Sequence, residues 1–254
     1  LKVKKILVSQ PKPKLENSPY WNIQKKFNLK IDFHKFIRID GVKAREFRKE
    51  RINILEHNAV IFTSRLSVDH FFRICTEMRI RVPESMKYFC VSESIAYYLQ
   101  KYVRYRKRKI FSGEKKFKDL MGKIEKYKED KFLFPCSNIH KQEIPKLLEK
   151  NKIKYSIAVI YKTLCSNLSN IDINKYDMLV FFSPLGIESL FKNFPDYKQE
   201  DSIVAVFGPT TAKSVKKAGL TLSIEAPTPQ APSMTMAIEQ YLQKMNKKSK
   251  NKKN

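Results

Sequence analysis

The sequence predicts an α/β protein of two parallel-sheet domains, one inserted into the other. Three observations carry that expectation. First, four apolar runs stop at small polar clusters and give way to helical patterns: Ala59–Phe62 into Thr63-Ser64, Phe132–Pro135 into Cys136-Ser137-Asn138, Leu179–Phe182 into Ser183-Pro184, and Val204–Phe207 into Gly208-Pro209-Thr210-Thr211. Short buried strands that alternate with amphipathic helices pair as parallel sheets. Second, two longer extended runs, Ile31–Ile39 and Tyr155–Leu164, flank a central α/β block. Third, 42% hydrophobic residues and 17 Phe in 254 residues suffice for two cores.

In chain order, Lys5–Val8 is a first strand, and its apolar stretch is too short for a signal peptide. Ser18-Pro19 reads as an N-cap and first helical residue, with Trp21, Ile23 and Phe27 forming the apolar stripe. Ile31–Ile39 alternates apolar and polar residues as one strand, and Asp40-Gly41 reads as a turn. The central block supplies candidate strands at 58–63, 87–91, 107–111 and 131–135. Its candidate helices are 44–56, 65–80, 93–103, 114–128 and 140–150. The polar stretch Ser166–Asn170 precedes a second α/β run, which ends in a helix over 232–245. This gives a discontinuous domain of residues 1–38 plus 166–245 and an inserted domain of 42–154. Linker strands at 31–40 and 155–165 pair as a hinge, and 246–254 is a disordered basic tail that lacks apolar residues to bury.

In sheets of this type, ligands sit beyond the carboxyl ends of the strands. Hydroxyls and free N–H groups at helix starts suit carboxylates and phosphates. Thr63, Ser64, Arg65, Ser137, Asn138, Ser183, Thr210 and Thr211 are therefore the candidate ligand contacts, and N-capping is the competing structural role for the hydroxyls. Four widely spaced cysteines with no CxxC, and four His without ligand spacing, leave no metal motif. Reduced, semi-buried thiols fit a cytoplasmic protein. No apolar run approaches the roughly 18 residues of a membrane span. The formal net charge of +26 is extreme. The basic tail and the run Lys101–Lys109 together carry under half of it, so the body itself attracts polyanions.

The motifs resemble those of the uroporphyrinogen-III synthases. Ile61-Phe62-Thr63-Ser64 with Val68 is similar to the family's Phe-Thr-Ser-x-x-x-Val element. Phe134-Pro135-Cys136-Ser137-Asn138, with Ile144-Pro145 and Leu148, is similar to its second-domain strand and helix. Val159-Ile160-Tyr161-Lys162-Thr163 resembles the crossing strand with its Val-Tyr-x-Thr signature, and Phe182-Ser183-Pro184-Leu185-Gly186 resembles Phe-Ser-Pro-Ser-Gly. Phe207–Ala212, Ala218-Gly219-Leu220 and Ala226–Gln230 resemble the C-terminal signature. The likeness covers about residues 4–243.

The resemblance implies two Rossmann-like or flavodoxin-like parallel-sheet domains joined by a two-stranded β-ladder. It also implies cyclisation of the linear tetrapyrrole hydroxymethylbilane with ring D inversion and loss of water, without metal or organic cofactor. It casts Tyr161 as the catalytic residue, a weak acid near the departing hydroxyl. The expected associations are a monomer, hydroxymethylbilane as substrate, transient contact with hydroxymethylbilane synthase, and no membrane. Two segments depart from the pattern. Ser9-Gln10-Pro11 stands where Thr-Arg-Pro is usual, and Val91-Ser92-Glu93-Ser94-Ile95-Ala96 stands where Val-Gly-x-x-Thr-Ala is usual. They keep an alternative open: a non-catalytic basic protein on the same scaffold that grips nucleic acid or another polyanion. In that case Tyr102 and Tyr105 would stack bases among the cations of 101–109.

Overall fold

A computed structural model describes residues 3–114 and 116–251. The chain divides into two compact units, one of residues 1–38 and 164–254 and the other of residues 39–163. Each contains a sheet flanked by helices.

The first unit holds β1 (Lys5–Val8), α1 (Pro19–Phe27), β2 (Lys30–Phe33), β9 (Met178–Phe181), α7 (Pro184–Asn193), β10 (Ile203–Phe207), α8 (Pro209–Lys217), β11 (Leu222–Ala226) and α9 (Met234–Asn251). Its strand order is β11-β10-β9-β1-β2, with every neighbour parallel. Alternate residues serve opposite faces, as the strand period of two requires. Ile6, Val8, Met178, Val180 and Ile203 pack with Ile23 and Ile238, whereas Leu7, Leu179, Phe181, Val204 and Val206 pack with Ile187, Leu190 and Val215. A parallel sheet covered on both faces explains why these strands are near-continuous apolar runs.

The second unit carries β3 (Ile37–Gly41), α2 (Ala44–Phe47), β4 (Ala59–Phe62), α3 (Arg65–Glu77), β5 (Lys87–Cys90), α4 (Glu93–Leu99), β6 (Ile110–Ser112), α5 (Lys118–Ile124), β7 (Phe132–Ser137), α6 (Glu143–Lys150) and β8 (Tyr155–Cys165), the first and last strands running across the unit boundary. Its strand order is β3-β8-β7-β4-β5-β6, and the pairs from β8 through β6 are parallel. The chain builds β4, β5 and β6 toward one edge, then returns to place β7 on the other side of β4. The crevice beyond the carboxyl ends of β4 and β7 is thus the switch point where such sheets bind ligands.

Several local expectations are corrected. Ile31–Ile39 is not one strand. β2 ends at Phe33 because Phe36, 1% exposed, is drawn into the first unit's core, its ring 5.6 Å from that of Phe181. Asp40-Gly41 is not a turn but the end of β3, and the next amide, on Val42, donates to the Ile160 carbonyl at 3.0 Å. The single helix expected over 44–56 is broken. Arg51 takes a left-handed conformation (φ 54°), and Asn53 starts a new turn by accepting from the Leu55 amide. The strand expected at 107–111 begins only at Ile110, because Lys109 N–H closes a turn onto the Arg106 carbonyl. Helices expected to begin at 114 and 140 start at Lys118 and Glu143. The final helix continues through Asn251, inside the stretch expected to be disordered, where Lys favours helix and no Gly or Pro interrupts it. Residues 252–254 lie outside the described residues. No helix among those described is long and apolar enough to cross a membrane.

Candidate functional site

At the switch point of the second unit lies a cavity of about 630 Å³, lined in part by Thr63, Ser64, Ser137, His140 and Tyr161. Each polar side chain is placed by local structure. Ser64 is extended and caps α3: its Oγ accepts from Ser67 N–H at 3.0 Å, and Ser67 Oγ accepts from Ser64 N–H at 3.2 Å. This reciprocal pair fixes the start of α3. Against the larger upward push of burial, the Ser64 side chain also acts on the Tyr161 phenol, lowering its pKa.

Tyr161 reaches this position through an irregularity. Along β7 and β8 the register runs Cys136 with Val159, then Ser137 with Tyr161, so β8 carries one extra residue, Ile160. Such a bulge redirects a side chain. Ile160 and Tyr161 consequently pack in the same cluster, on the α3 side of the sheet, instead of alternating. The Tyr161 ring is 8% exposed and stacks on His70 of α3, with centroids 5.0 Å apart and planes 20° from parallel. Burial raises the phenol's pKa, so it is protonated at neutral pH and donates.

His70 is held neutral. Burial, and then the Arg73 guanidinium, lower its pKa. Arg73 Nε donates to His70 Nδ1 at 3.1 Å, which leaves the imidazole proton on Nε2. Arg73 also donates to the Val42 and Ile160 carbonyls, at 2.9 and 3.0 Å, on either side of β3 and β8. One side chain therefore anchors both the bulge and the ring beneath the phenol.

On the other wall, Ser137 Oγ lies 2.9 Å from both Asn138 Oδ1 and Thr163 Oγ1. Asn138 Oδ1 also accepts from Thr163 N–H at 2.8 Å. Asn138 is exposed and does not line the cavity, so its carbonyl oxygen ties β7 to β8. Among the described residues, Lys116, Lys118 and Lys141 line the cavity with a single carboxylate, Glu143, which lies 4.0 Å from Lys118. Cys136 is buried and its thiol is pushed up to about 12 by desolvation, so it is no nucleophile at neutral pH.

The structure thus gathers Thr63, Ser64, Ser137 and Tyr161 in one cavity. Arg65 stands apart, exposed on the first turn of α3 with its guanidinium 5.4 Å from the Tyr98 ring centroid. Ser183, Thr210 and Thr211 belong to the other unit. Ser183 caps α7 by accepting from Gly186 N–H at 3.2 Å. Thr210 is exposed on the first turn of α8, and Thr211 is 1% exposed. Gly208 precedes that helix at φ 92°, a conformation that glycine adopts without strain. Sequence reading missed His70 and the three lysines. His70 is 91 positions from Tyr161 in the chain, and no spacing rule joins them. Among the described residues, no group of His, Cys, Asp and Glu could hold a metal ion.

The departure at Ser92 and Ile95 has a local account. Ser92 is extended (φ −144°), so no glycine is required there, and Ile95 is 7% exposed in the core. The basic run 101–109 is partly engaged in structure. Tyr102 stacks on Phe72 at 4.5 Å and donates to Asp69, Arg106 pairs with Glu84 at 3.0 Å, and Lys109 donates to the Glu84 carbonyl.

Two parallel α/β units, one with a lysine- and hydroxyl-lined cavity at its switch point, define a class of protein suited to organic anions. A family model described as uroporphyrinogen-III synthase HemD matches residues 35–236, and the chain belongs to that family. A solved mutant uroporphyrinogen III synthase from Thermus thermophilus is similar at 13% identity, over 95% of this chain and 99% of that one, with a TM-score of 0.57. A uroporphyrinogen-III synthetase from Helicobacter pylori is similar at 16% identity, over 94% and 99%, with a TM-score of 0.58. At these identities the likeness is one of fold. No curated protein matches the sequence. Family membership supports an enzymatic role in tetrapyrrole biosynthesis.

Proposed function

We propose that this chain is a uroporphyrinogen-III synthase that cyclises hydroxymethylbilane with inversion of ring D and loss of water. The observation that carries the reading is the buried, protonated Tyr161 phenol, beside Ser64 and stacked on His70 in a cavity whose other charged groups are mostly lysines. The substrate's eight carboxylates suit lysines and hydroxyls, and they would be repelled by an acidic pocket. Tyr161 donates to the departing hydroxyl, which leaves as water and generates an azafulvene. Ring D attacks through its substituted carbon to give a spiro intermediate, so holding the chain in that geometry is the main catalytic task. Thr63, Ser64 and Ser137 are assigned to substrate contacts in this cavity, and Ser183, Thr210 and Thr211 to carboxylates at the helix starts of the first unit. Arg65 contributes charge, and Asn138 acts through Ser137 and Thr163. In this reading the two units are doubly wound domains of the Rossmann and flavodoxin type, and the strands crossing between them are a hinge.

The test is a coupled assay that supplies hydroxymethylbilane and separates the products. Enzyme-dependent formation of isomer III is expected. Accumulation of isomer I alone, at the uncatalysed rate and with folded protein, would refute the synthase.

A further inference from the structure

The second unit holds another cavity, of about 620 Å³, at the other end of α3. Ser64 caps one end of this 13-residue helix, while Phe72, Cys75 and Thr76 near its far end line the cavity, so roughly 15 Å separates the two sites. The volume is that of a small-molecule site.

Its lining is mixed, with Thr76, Glu84, Arg104, Arg106 and Lys109 supplying polar surface beside an apolar wall. Cys75 and Met86 are 3% and 2% exposed, and Ile80 and Val82 complete an aliphatic wall. Among them lies Tyr88, only 5% exposed, stacked on Phe62 with centroids 6.1 Å apart. Its hydroxyl makes no hydrogen bond to the protein among the described residues, and since no side-chain polar atom among them is both buried and unpartnered, it opens onto the cavity. Burial raises the Tyr88 pKa, so the group is a neutral donor. The hydroxyl faces the cavity as a neutral donor, within reach of a polar atom of a ligand held there.

The rim is basic. Arg106 is already paired with Glu84, and Lys109 is bound to the carbonyl of that residue. Arg104 is exposed, lines the cavity and has no ion-pair partner among the described residues. A guanidinium at the mouth selects a carboxylate.

We infer that this cavity binds a small amphipathic organic acid, with its carboxylate on Arg104, its aliphatic body along the Cys75–Met86 wall, and a hydroxyl or carbonyl oxygen on Tyr88. A polycarboxylate is excluded from the interior by the cost of burying unpaired charges. The site is therefore separate in ligand class from the lysine-lined cavity.

Calorimetric titration of the full chain with ω-hydroxydecanoate and with decanoate tests this. One saturable site is expected, with the hydroxy acid bound about three- to tenfold more tightly, the increment of one hydrogen bond. Tyr88→Phe should abolish that preference and leave decanoate affinity unchanged. Arg104→Glu should weaken both ligands about tenfold or more. Thr76→Trp, at an exposed helix position beside the mouth, should block both, and Lys118→Ala in the other cavity should change neither. Melting curves check that each variant is folded. Absence of saturable binding at millimolar ligand would overturn the proposal. So would binding unaffected by Arg104→Glu and Thr76→Trp, or binding lost with Lys118→Ala. A hydroxyl preference that survives Tyr88→Phe would overturn the role given to the phenol.

Discussion

Tyr161 is defined by what surrounds its oxygen and its ring. Ser64 acts on the hydroxyl, and a neutral His70 lies under the ring. Tyr161→Phe keeps the ring and removes the donor. Turnover of hydroxymethylbilane should fall roughly ten- to a hundredfold, the usual contribution of a general acid, with thermal stability little changed. Turnover equal to wild type would remove the phenol from the mechanism. The buried thiols make a different prediction. Cys75, Cys90 and Cys136 are each pushed from the ordinary 9.0 to about 12 by burial. A raised folded-state value means that folding favours the protonated thiol. That contribution is complete below pH 9 and is lost as the pH climbs toward 12. Urea midpoints should therefore decline with pH above 9, and less steeply in a Cys75→Ala, Cys90→Ala, Cys136→Ala variant. Equal slopes would exonerate the thiols. Cys165, which is only partly buried, should be the first cysteine alkylated by iodoacetamide.

At the scale of elements, Arg73 joins three pieces: α3, the residue after β3, and the bulge in β8. Arg73→Met leaves two carbonyls without their charged donor and should cost about 2–4 kcal/mol in urea denaturation. It also removes a positive neighbour that lowers the His70 pKa, so the His70 titration followed by NMR should move upward. An unchanged titration would show that burial sets that value without help from Arg73.

The same elements show what the sequence makes legible. Three of the four strand-to-helix turns occur where the apolar runs end, because buried parallel strands leave a local pattern, whereas β7 runs on through Cys136 and Ser137 and α6 begins only at Glu143. The break at Phe36 is invisible locally, since alternation continues through it and the reason for the break is a ring in a distant core. The broken 44–56 helix turns on a left-handed Arg51, a residue with no positional signal for that conformation. The extra residue Ile160 is likewise silent, and so are His70 and the lysines of α5 and its approach, which meet the site only through the sheet order.

For the molecule as a whole, the net charge of +26 is the dominant long-range property. If that field gathers an octacarboxylate, association should slow roughly three- to tenfold as ionic strength rises from about 0.01 to about 0.3 M, because the Debye length shrinks over that range. An association rate independent of salt would mean that the charge serves something other than capture. Deleting 246–254 removes several lysines far in sequence from the cavity residues, and turnover should stay within about twofold of the full chain if preorganised groups govern catalysis. A larger loss with intact folding would give the tail a direct role.

The single supernumerary residue in β8 has a consequence for how this protein tolerates change over generations. In a regular ladder, consecutive side chains fall on opposite sides of the sheet. Here Ile160 and Tyr161 share a side only because the strand is one residue longer than its partner. Inserting one residue into β7 between Cys136 and Ser137 would give Ile160 a partner, restore regular alternation and turn Tyr161 to the side opposite Ile160, away from His70, with every side chain of the cavity still encoded. If the phenol is the acid, this site is exposed to changes in length as well as to changes in identity, and a comparison that scores residues while ignoring a one-residue gap would pass a chain with a misdirected phenol as intact.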